Sequence, residues 1–302
     1  MTYRDKKQVL LTGSIGFIGS NFLKKLTTKY NVIGINNVQD IKSHNYHPIK
    51  KNINKLKSNE IPNDLYSILH LAAITDTNFC EQYPQKCFDT NVCGTQNLLE
   101  IARKKDSKFV YVSTSHVYGA PNNLPILEED PKKPLSMYAT TKLAGEISCL
   151  GYGNSYGMDV SIARLFSVYG PKSPPHLVTS RIMSQIKGNF INLGNLYSER
   201  DFIFIDDVIS ALDIILRKTH GYNEYNVGTG KSYSIQKIYE IIKKLSKHQT
   251  PIKSSNRLFR KNDVKKIVCN PTKLKKLGWK PKTSIYSGLQ QTWEWFDRNL
   301  IT

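Results

Sequence analysis

The sequence is short of acid. Its 302 residues hold 24 aspartates and glutamates against 43 lysines and arginines, a formal net charge of +19. It has no run approaching the ~20 apolar residues of a membrane span, so no transmembrane segment is expected. The opening residues, Met1 to Lys7, are polar and lead straight into a strand-like run, so no apolar leader is expected there either. Five cysteines are an odd number and none forms a C-x-x-C pair. That argues against a zinc site or a disulfide frame and predicts reduced thiols in a cytoplasm. Internal repeats and long low-complexity segments are missing as well. The surplus of positive charge invites a nucleic-acid reading. However, the lysines are scattered in small runs such as Lys50-Lys51, Lys132-Lys133 and Lys243-Lys244, and no nucleic-acid-binding signature accompanies them. The charge is therefore read as a field that helps gather a small anionic ligand, with neither nucleic acid nor membrane as partner.

What is present is an alternation of strand and helix patterns. Gln8-Val9-Leu10-Leu11-Thr12 is a short apolar run that stops at Gly13-Ser14-Ile15-Gly16-Phe17-Ile18-Gly19, and a helical pattern follows from Ser20. Strand, glycine turn and helix form the context in which a dinucleotide pyrophosphate meets helix N–H groups, although the spacing is G-x-x-G-x-x-G. Tyr30 to Ile35 is a second strand. Its end carries Asn36, where a unit of this type often places an acid for the adenine ribose. With an amide there and no arginine beside it, NAD and NADP both stay open. Leu65 to Ala73 is another buried strand, with His70 inside it as a core residue and Leu71, Ala72 and Ala73 near its end. Phe79 to Lys104 reads as helical with a bend near Pro84. Lys108 to Val112 is a strand ending in the hydroxyl cluster Ser113-Thr114-Ser115, followed by His116.

The alternation predicts an α/β fold, a Rossmann-type doubly wound parallel sheet over residues 1–170. Beyond the breaker cluster Gly170-Pro171-Lys172-Ser173-Pro174-Pro175 the texture changes. Residues 171–302 read as a smaller α+β C-terminal substrate region, some of whose segments return to the first domain.

Tyr138 and Lys142 lie four apart on a predicted helix and so share one face. An ammonium near a phenol favours the phenolate, so Lys142 is expected to lower the Tyr138 pKa and fit it for proton transfer.

These pieces together resemble the extended short-chain dehydrogenase/reductase family, specifically its NAD-dependent epimerase/dehydratase members that act on nucleotide sugars. The likeness runs nearly end to end. It is carried by T-G-S-I-G-F-I-G (12–19), L-H-L-A-A (69–73), N-V-C-G-T (91–95), S-T-S-H-V-Y-G (113–119), Y-A-T-T-K (138–142), A-R-L-F-S-V-Y-G-P (163–171), R-D-F-I-F-I-D-D-V (200–208), Y-N-V-G-T-G (225–230) and L-G-W-K-P (277–281). The resemblance implies a catalytic trio of Thr114, Tyr138 and Lys142. It implies a cofactor site drawn from Gly13, Ile15, Gly16, Phe17, Ile18, Gly19, Asn36, Leu71, Ala72, Ala73, Asn91 and Val112 together with Tyr138 and Lys142. It implies substrate contacts from Thr75, Thr114, Ser115, His116, Ser167, Arg200 and Arg260, the two arginines clamping a diphosphate. A homodimer is also implied, through the Phe79–Lys104 helix and the helix bearing Tyr138.

The departures narrow the expectation. Dehydratases of this family carry an acid-bearing pair after the catalytic Thr, and here the positions are Ser115 and His116. Ser167 stands where an Asn is common. The expected activity is epimerisation at sugar C4 with NAD through a transient 4-keto sugar. An NAD(P)H-dependent 4-keto-6-deoxy nucleotide-sugar reductase is the alternative, with a 4,6-dehydratase or a non-catalytic binding protein behind it.

Overall fold

The computed structural model describes residues 6–254 and 263–299. The strands are β1 (Gln8–Thr12), β2 (Asn31–Asn36), β3 (Tyr46–Lys50), β4 (Leu65–His70), β5 (Lys108–Thr114), β6 (Val160–Leu165), β7 (Ser167–Tyr169), β8 (Ile191–Leu193), β9 (Glu199–Arg200), β10 (Phe202–Phe204), β11 (Asn223–Val227), β12 (Tyr233–Ser234), β13 (Ile252–Ser254) and β14 (Lys266–Ile267). The helices are α1 (Phe17–Lys29), α2 (Thr77–Gln82), α3 (Pro84–Phe88), α4 (Gly94–Lys104), α5 (Met137–Tyr156), α6 (Val178–Gln185), α7 (Ile205–Lys218), α8 (Ile235–Ser246), α9 (Thr272–Lys276) and α10 (Ile285–Asn299).

The chain forms two compact units that trade segments. The first holds 1–117, 132–164 and 211–225; the second holds 118–131, 165–210 and 226–302. A seven-stranded sheet in the order β11-β6-β5-β4-β1-β2-β3 organises the first unit, with parallel pairing from β5 through β4, β1 and β2 to β3. Its strands are apolar on both faces, as a sheet covered by helices requires. Leu10, Ile68, Phe109 and Ile162 are fully buried in its core, with Leu98, Leu99 and Ala102 of α4 packed against them. The polar stretch after β2 contributes only the edge strand β3, in which Pro48 stands opposite Gly34. Tyr225-Asn226-Val227 joins the far edge of this large sheet as part of β11.

The expected helix over 79–104 is present in pieces. Pro84 starts α3, where a missing N–H costs nothing. A π-helical turn over Asp89–Cys93 then links α3 to α4.

One expectation is overturned. Cys80 and Cys87 form a disulfide between α2 and α3. The break at Tyr83-Pro84 folds the two short helices back so that the Cα atoms stand 5.3 Å apart, within bridging range. A spacing of seven residues did not signal this pair. Cys93, Cys149 and Cys269 are free.

The second unit is built from short pairings: β10 with β7, β13 with β8, and β9 between β12 and β14. Buried Asp201 ties it together, accepting from the backbone of Thr229, Gly230 and Cys269 and from the Thr229 hydroxyl. Among the described residues no helix is long and apolar enough to cross a membrane.

Candidate active site

The carboxyl ends of β1, β2, β4 and β5 carry most of the expected residues of the first unit. After Thr12 the chain turns at Gly13, with φ at +68°, and its amide donates to Ile35 O at 2.9 Å. A Cβ at Gly19 would overlap the Gly13 carbonyl, so helix and turn meet at a distance only glycine allows. Gly16 caps α1 without any side-chain hydrogen bond, and the first turn has no acid. This leaves a positive helix end with unspent N–H groups, the cradle a pyrophosphate takes. Ile15 and Gly16 are exposed, Phe17 and Ile18 half-buried.

Thr12, which the sequence reading passed over, joins this loop to β4. Its hydroxyl oxygen accepts from Leu71 N (3.2 Å) and Ala72 N (3.1 Å) and lies 2.8 Å from His70 Nδ1. His70 Nε2 meets Thr95 Oγ1 at 3.0 Å, and that hydroxyl donates to Asn91 O at 2.6 Å. One assignment satisfies the chain: Thr12 donates to Nδ1 and protonated Nε2 donates to Thr95. Burial keeps the His70 pKa well below the usual value, so the neutral form this needs is the stable one. Asn91, at the π-turn, accepts from Ile74 N (2.8 Å) and donates to Ile74 O (3.0 Å) and Thr141 Oγ1 (3.0 Å). Both ends of its amide are thereby engaged, and the Ala72–Ala73–Ile74 segment is pinned to α5. Thr75, one residue on, is exposed.

Asn36 is buried. Its Oδ1 accepts from Ile15 N at 3.3 Å, and its Nδ2 donates to Ser14 Oγ at 2.7 Å and more weakly to Tyr46 OH at 3.4 Å.

Thr114 ends β5, and Ser136 caps α5 by accepting from Ala139 N at 3.2 Å. That start places Tyr138 in the first turn, close enough to Thr114 for the Thr114 hydroxyl to act on its phenol. Burial pushes the Tyr138 pKa up to about 12, and the Thr114 hydroxyl works against the rise. The expected depression by Lys142 is therefore corrected: burial sets the shift, and the group that opposes it is Thr114 rather than Lys142. Lys142 itself is 3% exposed, and burial lowers its pKa to about 7, with Glu146 pulling the other way. Its Nζ lies 4.0 Å over the Tyr111 ring. The His116 ring meets the Tyr138 ring edge-on at 5.9 Å. Ser115 and Val112 are buried, and the buried Ser113 hydroxyl has no hydrogen-bond partner. An orphaned donor beside Thr114, the uncapped α1 and the glycine turn all fit a dinucleotide lying across these strand ends.

Of the substrate contacts expected in the second unit, Ser167 is half-buried at the start of β7 and donates its amide to Asp201 O. Arg200 pairs with Asp263 at 2.7 Å and donates to Val264 O at 2.7 Å. Arg260 lies outside the described residues. No cluster of metal-ligating side chains occurs among the described residues.

A parallel sheet with a glycine turn after β1 and a Thr–Tyr–Lys set at the end of β5 defines a dinucleotide-dependent oxidoreductase of the extended short-chain type. The family model for GDP-mannose 4,6 dehydratase matches residues 10–292, and the chain belongs to this NAD-dependent epimerase/dehydratase family. The chain is 34% identical over 318 residues to a UDP-glucuronate 4-epimerase of Thermodesulfobacterium geofontis, covering 96% of each chain. It is 32% identical over 308 residues to a putative UDP-glucose 4-epimerase of Methanocaldococcus jannaschii, covering 96% of this chain and 99% of the other. The UDP-glucuronic acid 4-epimerase of Bacillus cereus, solved with UDP-glucuronic acid and NAD, superposes with a TM-score of 0.90 at 26% identity, over 97% of this chain and 99% of that one.

Proposed function

We propose that this chain is an NAD-dependent epimerase acting at C4 of a nucleotide sugar through a transient 4-keto sugar. The observation that carries the reading is the meeting of Thr114, at the carboxyl end of β5, with Tyr138 in the first turn of α5, Lys142 being buried one turn further along. Thr114 and Tyr138 hold the sugar O4. Tyr138 takes the O4 proton as C4 is oxidised and returns it when C4 is reduced on the other face. NAD, when bound, supplies the hydride acceptor and a positive ring charge. Lys142 holds the nicotinamide ribose and, when protonated, favours the phenolate. Gly13, Gly16 and Gly19 with the uncapped start of α1 hold the pyrophosphate. Ser115 and His116, neither of them a carboxyl, favour epimerisation over loss of water. Arg200 and Arg260 meet the substrate diphosphate.

The protonated state that burial imposes on Tyr138 equally suits giving a proton to a ketone, which supports one-way reduction of a 4-keto-6-deoxy sugar as a second reading. A homodimer belongs to the proposal too: Ile147 and Tyr156 of α5 are 62% and 58% exposed, and Phe79 and Tyr83, at the start of the 79–104 segment, are exposed as well. A cytoplasmic setting, where nucleotide sugars and NAD are met together, completes it.

The test is incubation with UDP-, dTDP-, GDP- and CDP-sugars, UDP-sugars first, with and without NADPH. Sugar isomerised without NADPH use supports the epimerase. Net NADPH consumption moves the assignment to the reductase.

A further inference from the structure

At the end of β2 a neutral amide stands where many dinucleotide-binding units hold an acid. The structure nevertheless connects that position to a carboxylate. Tyr46, the first residue of β3, donates its hydroxyl proton to Asp40 Oδ2 at 2.6 Å, a length typical of a bond to an ionised acceptor. Its oxygen can then only accept, and Ser14 Oγ lies 2.8 Å away. Ser14 is then the donor to Tyr46, whose own proton is spent on Asp40, and it accepts the 2.7 Å bond from Asn36 Nδ2. The bonds therefore run one way, from Asn36 through Ser14 and Tyr46 to Asp40. Asp40 is fixed in turn by Ile41 N, which donates to Oδ1 at 2.8 Å.

The strand makes room for this relay. A Cβ at Gly34 would come within 2.6 Å of both Ser14 Oγ and Tyr46 OH. Every hydroxyl proton in the relay is committed, no basic side chain takes part in it, and the oxygen lone pairs are what it leaves to offer. Hydrogen bonds polarised in one direction strengthen one another, so Asn36 Oδ1 becomes a better acceptor than an isolated amide. An adenine ribose 2′-hydroxyl can donate to such a site. Within the relay a 2′-phosphate finds no free hydroxyl proton, and it brings roughly −2 of charge. Two hydrogen bonds, of 2.6 and 3.4 Å, separate the Asp40 carboxylate from the Asn36 amide. That charge is well inside the ~8–10 Å screening length.

We propose that Asp40, acting through Tyr46 and Ser14, selects NAD over NADP in place of an acid at the end of β2. Asp40 is a positioning residue four places beyond the usual one, and it works by aligning the relay and by its charge. The proposal rests on the dinucleotide reading of the glycine loop.

Calorimetric titration of the purified chain, freed of co-purified nucleotide, with NAD and NADP tests it. Wild type is expected to prefer NAD. Asp40→Asn is expected to narrow that preference by about tenfold, chiefly through tighter NADP binding, and Tyr46→Phe to narrow it in the same direction. Asp40→Glu keeps the charge and is expected to restore the preference. Added salt should narrow the gap between the wild-type and Asp40→Asn preferences. An unchanged NADP-to-NAD ratio in Asp40→Asn, with NAD affinity and melting temperature held, would overturn the proposal alone. If Asp40→Asn does not fold, the same unchanged ratio in Tyr46→Phe overturns it. Failure of the wild type to bind either nucleotide would overturn the dinucleotide reading with it.

Discussion

Two buried cations in the first unit are treated in opposite ways. Arg164, on β6, is completely buried and completely paired. Its guanidinium binds Glu146 at 2.8–3.1 Å and Glu224 at 2.6 Å. Lys142, on α5, is almost as deeply buried, yet among the described residues no carboxylate lies within ion-pair distance of it. The Glu146 side chain, one helical turn away, is spent on Arg164. What Lys142 has is the face of Tyr111, a weaker partner for a desolvated charge. The difference separates architecture from chemistry. A fully compensated charge fixes α5 against β6 and stays inert. An under-compensated one keeps a pKa near neutrality and stays responsive to whatever binds beside it.

That contrast can be broken at three points. The largest effect is expected at the phenol that Lys142 serves. Tyr138→Phe should lower kcat by roughly 10²–10⁴-fold while nucleotide-sugar binding stays within a fewfold of wild type. Full turnover in this variant would remove Tyr138 from the chemistry.

Next is the architectural cation. Arg164→Met strands Glu146 in the interior and should destabilise the fold by about 3–5 kcal/mol, read by urea denaturation. A loss under about 1 kcal/mol would mean that the pair is not the clamp its geometry describes.

The smallest and most discriminating is the effect of Lys142→Met on stability, which should stay well below the loss at Arg164 and depend on pH. In the folded chain Lys142 gives up its proton at about 7, against 10.5 for an unperturbed lysine. Between those values the unfolded chain binds more protons, so wild-type stability gains from rising pH, by up to ~1.4 kcal/mol per unit from this residue. Below about 7 the cost of the buried charge is present in full. Lys142→Met should therefore be most favoured relative to wild type at or below neutral pH, and the advantage should close toward pH 10. Melting temperatures of both proteins across that range measure it, and a flat offset would contradict it.

Much of the first unit was legible because its signals are local. The glycines after β1, the alternation of strand and helix, the helix break at Pro84 and the Tyr138–Lys142 spacing all depend on residues within a turn or two of one another. The structure departs where the governing contact is distant in sequence or depends on burial. Thr12 matters through amides about sixty residues away, and Tyr46 through Ser14, thirty-two residues before it. Spacing told that Lys142 stands near Tyr138, but not that the phenol loses enough water for its pKa to rise. The Cys80–Cys87 bridge needed the fold of two short helices that no periodicity announces. Which segments cross between the two units was equally hidden, since nothing in the texture of residues 118–131 or 211–225 says which core they join.

The outermost strand of the large sheet has a consequence for how copies of the chain can meet. In β3, Val32 N–H reaches Asn45 O and Lys51 N–H reaches Asn36 O, so the odd-numbered residues turn their backbone groups toward β2. Even-numbered residues turn theirs to the other side, where the N–H and C=O of Tyr46 are already paired with Ser43. Pro48 is one of these, and it has no N–H to offer. A further strand approaching that border would find the ladder interrupted at its middle rung. The border is thereby blunted against strand-by-strand accretion, the route by which exposed sheet margins aggregate. At this border, then, a second copy could not extend the sheet by an unbroken run of backbone hydrogen bonds.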